Sequence, residues 1–151
     1  MATVKFTYAQ DAETVYKLVS DPDVCKRRSE AFGDKDIRIT KSGETVTNVR
    51  LVEADVPSFA KKFLSATNTV TDVKAWNPAT KSATLAVEIK GVPVKITGDI
   101  RVVPAGSGAD YIVNFQVACK IPLIGGQLEK HITGITEEGM RKEFEWNKAQ
   151  L

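Results

Sequence analysis

Hydrophobic positions along the chain fall into two periods, and the switches between them mark the elements. Over 3–8, Val4, Phe6 and Tyr8 alternate with polar residues, which predicts a strand. Over 11–19, Val15, Leu18 and Val19 take helical spacing. Asp21-Pro22 then reads as an N-cap followed by proline at the first helical position. It predicts a second short helix to about Phe32, stopped at Gly33.

From Asp36 the period returns to two. Strands are predicted over 36–41 (Ile37, Ile39), 45–53 (Val49, Leu51), 68–76, 82–89 (Leu85, Val87, Ile89) and 94–103 (Val94, Ile96, Ile100, Val102, around Gly98). The longest covers 109–121, with Tyr111, Val113, Phe115, Val117 and Cys119 on one face. Turn segments separate them: "SGE", "NPATK", "KGVP" and the loop "PAGSG". All six prolines stand where an element should begin or end. The last element is a helix from about Gly125 to Lys148, roughly 35 Å long. Leu128, Ile132, Ile135, Gly139 and Trp146 form its apolar stripe. Met140 and Phe144 fall off that stripe, which predicts a bend near Gly139 or a second apolar face for a partner.

Consecutive strands joined by short turns are antiparallel, and one face of such a sheet needs a cover. The pattern therefore predicts an α+β fold in one domain, 1–151. A sheet of about seven strands wraps on a long C-terminal helix, with two short helices after the first strand. The bulk numbers fit: 42% hydrophobic, 26% charged, net charge +2. That balance gives no electrostatic case for nucleic acid. The runs Lys26-Arg27-Arg28, Lys61-Lys62 and Arg141-Lys142 read as solvated faces. Cys25 and Cys119 read as reduced thiols, and no signal-peptide or membrane-span pattern is visible. A cytoplasmic protein without stable membrane insertion is expected, its oligomeric state open.

Certain blocks carry a resemblance. "FTYAQDAETVYKLVSDPDVCKRRSEAFG" (6–33), "VKAWNP" (73–78), "GVPVKITGDIRVVP" (91–104) and "IPLIGGQLEK" (121–130) resemble a bacterial domain-of-unknown-function family. That family lies within the START-like superfamily of polyketide cyclases and birch-pollen-allergen-like proteins. The resemblance covers nearly the whole chain. It implies the helix-grip fold and an apolar cavity between sheet and helix, and it carries no catalytic motif.

The candidate site follows from the inward faces. Tyr8, Val87, Ile100, Tyr111, Val113 and Phe115 are expected to line the cavity, with Val117, Cys119, Leu128, Ile132 and Ile135. Phe59 and Phe63 in the segment 56–68 form a cover or a lid. A dry void of about 300 Å³ would cost roughly 7 kcal/mol, so a large apolar cavity must hold a ligand or water, or shrink. The expected partner is a small hydrophobic or lipid-like molecule, with Tyr8 and Tyr111 as polar contacts. No catalytic residue, metal site or cofactor is predicted: His131 is the only histidine, and no metal-ligand or phosphate-loop spacing is present. A polyketide cyclase or aromatase-like enzyme and a ligand-free protein-interaction module are the alternatives. Gly125-Gly126 is expected to be a turn or a close backbone approach, and Gly139 to allow close helix–sheet packing.

Overall fold

The computed structural model describes residues 1–151. Strand β1 (Ala2–Tyr8) leads into helices α1 (Ala12–Val19) and α2 (Pro22–Ala31). Six strands follow: β2 (Lys35–Ser42), β3 (Thr45–Glu53), β4 (Thr67–Asn77), β5 (Ser82–Ile89), β6 (Val94–Ala105) and β7 (Gly108–Cys119). Helix α3 (Gly125–Ala149) comes last. All pairings are antiparallel, in the order β1-β7-β6-β5-β4-β3-β2. Helices α1 and α2 thus join the two edge strands. The sheet curves around α3, as the helix-grip reading expects.

The short helices start as the sequence directs. The Asp11 carboxylate accepts from Thr14 N–H at 2.8 Å, and Asp21 accepts from Asp23 N–H at 2.9 Å with Pro22 next to it. Asp11→Ala should lower the midpoint of a urea melt, because it orphans a donor of the first turn. At the far end, α2 closes with Gly33 N–H to Glu30 C=O and Asp34 N–H to Ser29 C=O.

Burial confirms the register of β1, β5, β6 and β7. Tyr8, Leu85, Ile96, Ile100, Val113, Phe115 and Cys119 point inward and join Leu128 and Ile132 of α3 in the core. In mid-sheet, Gly98 faces Phe115. A Cβ there would collide with the Asn114 carbonyl oxygen and lie 2.9 Å from Phe115 Cα, so the strands approach only because Gly98 has no side chain.

Several boundaries and faces differ from expectation. Pro104 and Ala105 belong to β6, leaving a tighter hairpin, and β7 ends at Cys119, before Ile121. On β3, Val49 and Leu51 share a face as expected; the buried positions are Val46 and Asn48, so that face is the outer one. The largest correction is on α3. Ile135, expected inside, is 50% exposed. Met140 and Phe144, expected off the buried stripe, pack on the core instead. Phe144 stacks on Phe6 with centroids 4.9 Å apart and meets Tyr8 edge-on. The inward line runs Leu128, Ile132, Thr136, Met140, Glu143, Asn147. Three of these are polar, so apolar spacing alone tilts the stripe toward Ile135. The second apolar face expected for a partner is therefore occupied.

Gly139 does not serve close packing: a Cβ there meets nothing within 4 Å. Gly139→Ala should stabilise the protein by about 1 kcal/mol, the helix-propensity difference, in urea unfolding.

Candidate functional site

The site begins with the inner positions of β4. Asp72, Lys74 and Trp76 share one face at period two, and Trp76 is buried against Tyr16 with centroids 5.5 Å apart. Asp72 and Lys74 are thereby carried inward. Lys74 Nζ lies 3.9 Å from Asp72 Oδ1. From α2, Arg28 reaches the same space at only 6% exposure, although its sequence context reads as a solvated basic run. Its Nε lies 3.7 Å from Glu143 Oε1, and its Nη1 donates to Asn147 Oδ1 at 2.9 Å. Asn147 Nδ2 donates in turn to the Tyr8 hydroxyl at 3.3 Å. On β3, Arg50 pairs with Asp34 at 3.3 Å and leaves Nη1 buried without a partner.

Tyr8, Arg28, Lys74, Tyr111, Glu143 and Asn147 surround a small, partly open cavity, completed by Val19, Met140 and Phe144. Its free volume is about 10 Å³, roughly one water. Enclosure is incomplete: the side chains of Lys74, Asp72 and Glu143 keep 15%, 18% and 34% exposure. They sit between helix and sheet yet remain within reach of water.

The electrostatics follow from that enclosure. Burial works against charge on Glu143, but Arg28 and Lys74 outweigh it and hold the carboxyl below its usual range. Burial opposes charge on Lys74 too, and Asp72 with Glu143 overcomes it and raises the ammonium. Arg28 is likewise raised, with Glu143 overcoming burial. Burial pushes the Tyr111 phenol up to about 12, against the pull of Lys74. Burial also raises Tyr8, with Asn147 opposing. At neutral pH the site holds paired charges and two protonated phenols. Because the folded Glu143 carboxyl titrates below its ordinary 4.5, its stabilising contribution is complete above that value and is lost as pH falls through the lower one. Glu143→Gln should therefore flatten the acid decline of stability below pH about 4.5, followed by urea unfolding at stepped pH.

Of the residues expected to line a cavity, the structure brings Tyr8 and Tyr111 to this one. Ile100, Val113, Phe115, Cys119, Leu128 and Ile132 are buried in the packed core, and Val87 and Val117 are half-buried on the inner face. Phe59 and Phe63 are also half-buried, around the short 3₁₀ turn Ser58–Ala60. Phe59 meets the His131 ring edge-on at 6.0 Å, away from the charged groups. Arg28, Asp72, Lys74, Glu143 and Asn147 escaped sequence reasoning. The available signal was parity: Asp72 and Lys74 share that of Trp76, and Glu143 and Asn147 follow Ile132 at helical spacing.

Helix α3 packs chiefly along β7 and β1. The inner faces of β4 and β5 keep half-buried apolar positions, Val70, Val87 and Ile89, in neighbouring register. At the start of α3, a Cβ on Gly125 would come 2.9 Å from the Cys119 carbonyl, the close backbone approach expected there. On the opposite face, an open groove of about 770 Å³ runs over the row Val49, Thr71, Glu88, Lys95 and Ala118 beside the β5–β6 turn.

A model of the family described as "Protein of unknown function (DUF2505)" matches residues 3–149. No curated relative matches in sequence. Among solved structures, protein TTHA0849 from Thermus thermophilus is similar at a TM-score of 0.73 and 14% identity, over 98% of this chain and 94% of that one. The Zhui aromatase/cyclase from Streptomyces sp. R1128 gives 0.69 and 12%, over 99% and 91%. Truncated norcoclaurine synthase from Thalictrum flavum gives 0.64 and 14%, over 99% and 92%.

Proposed function

The chain belongs to the DUF2505 family and has the START-like helix-grip fold, and from that premise we propose that it binds a small hydrophobic or lipid-like molecule between α3 and the sheet, without catalysing a reaction. One observation carries the reading. The inner apolar positions Val70, Val87 and Ile89 of β4 and β5 stay half-buried beside a helix that covers mainly β7 and β1. An apolar guest laid along them would complete their burial at about 25 cal/mol per Å². The neighbouring cavity, shrunk to about 10 Å³, fits a site that closes when empty, since an open dry void would be costly. Met140 is the flexible wall, because its thioether repacks at little cost.

The test is Nile red titration with a thermal melt. Binding should be saturable, and Val87→Trp should abolish it while leaving the melt within a few degrees. Retained binding in that variant, or none in the wild type, overturns the proposal.

A second reading is an enzyme of the cyclase or aromatase type, as the Streptomyces neighbour is named. It is favoured by Tyr111, protonated up to about 12, beside the enclosed Lys74 and Glu143. Such a phenol donates to a developing oxyanion, and the ammonium stabilises it. Tyr111→Phe would then keep binding and remove turnover. His131 meets Phe59 instead, outside the residues that line this cavity.

A further inference from the structure

We infer that the polar end of the ligand is neutral and hydroxyl-like, and that the site selects against a carboxylate. This inference rests on the binding reading above. It comes from the charge composition of the cluster beside the apolar face. The charges there form three pairs: Arg28 with Glu143 at 3.7 Å, Lys74 with Asp72 at 3.9 Å, and Arg50 with Asp34 at 3.3 Å. Positive and negative groups cancel. A carboxylate entering beside Lys74 would bring a charge that no free cation balances, with Glu143 and Asp72 close by to repel it. In a poorly screened site that repulsion offsets most of the attraction to Lys74.

The same pairs leave hydrogen-bonding capacity unused. Their separations exceed the 2.7–2.9 Å of a charge-assisted hydrogen bond, as that contact is ordinarily made. An ammonium has three donors, and a carboxylate accepts at both oxygens. A hydroxyl both donates and accepts, so it can bridge Lys74 and Glu143 without disturbing the balance. The register places the tail. Asp72 lies opposite Val87, Val87 opposite Ile96, and Ile96 opposite Val117. In the adjoining row Lys74 faces Leu85, and Gly98 leaves that row without a side chain before Phe115. A chain anchored by its head at Lys74 therefore runs onto the half-buried apolar strip of β5 and β7.

The experiment is displacement of Nile red by decanol and by decanoate at pH 7, which differ in head group. Decanol should displace the probe at about tenfold lower concentration, equivalent to about 1.4 kcal/mol. Decanoate binding equally or more tightly overturns the inference while leaving the binding reading intact. If Nile red binds and neither compound displaces it, the inference fails alone. If Nile red itself does not bind, both fail. Glu143→Gln removes one negative charge and keeps an amide acceptor, so the ratio of decanoate to decanol affinity should rise about tenfold. Asp72→Asn is the second variant, used if Glu143→Gln does not melt cooperatively. No gain for decanoate relative to decanol in a folded variant overturns the inference.

Discussion

Replacing Arg28 by methionine is expected to destabilise the protein by about 3 kcal/mol, at the lower end of the range for breaking an enclosed ion pair. The lower end applies because the Glu143 side chain keeps 34% exposure and retains some hydration. The loss has two sources. Glu143 is left between helix and sheet without its first counter-charge, and Asn147 Oδ1 loses the guanidinium donor. Removing both charges, as Arg28→Met with Glu143→Met, should recover most of the loss, because two apolar side chains need no partner. Urea unfolding of the four-member cycle checks this. A single-variant loss below about 1 kcal/mol would show that the cluster is as wet as a surface pair.

Gly98→Ala is the second large effect, expected at about 3 kcal/mol destabilising. The added methyl would meet the Asn114 carbonyl and Phe115 Cα, both backbone, so relief requires β6 and β7 to part at mid-sheet. Gly139→Ala is the matched control and should move stability the other way. Both glycines sit inside regular elements, and only their surroundings separate them. Equal effects would contradict the close approach at Gly98.

The fold was readable where burial follows apolar alternation. Strands β1, β5, β6 and β7 alternate Val, Ile, Leu, Phe and Tyr against polar residues, and both short helices carry Asp caps. The site was less readable because its inward positions are charged. Arg28 sits in a basic run that resembles a solvated face, and only the fold turns it toward α3. On β4, Val73 and Trp76 lie on opposite faces, so alternation alone leaves Asp72 and Lys74 unassigned. On α3, Thr136, Glu143 and Asn147 occupy the buried line, so the apolar residues trace a tilted one through Ile135. Tyr8 and Tyr111 were found because phenols count as apolar in the alternation and as polar in the site.

The strand order has a consequence for synthesis. Strands β2 to β7 are a meander, each able to pair with its predecessor as it leaves the ribosome. Strand β1 emerges first but pairs only with β7, Ala2 opposite Phe115 and Tyr8 opposite Ala109. Its inward face therefore waits for most of the chain to be made, and so does the open edge of the growing meander. Translation thus keeps an unpaired strand edge exposed until β7 appears, which is the interval in which neighbouring nascent chains can pair wrongly. The partners that bury Tyr8, β7 and then α3, follow all the other elements in the chain, so the polar cluster can assemble only once both have been made.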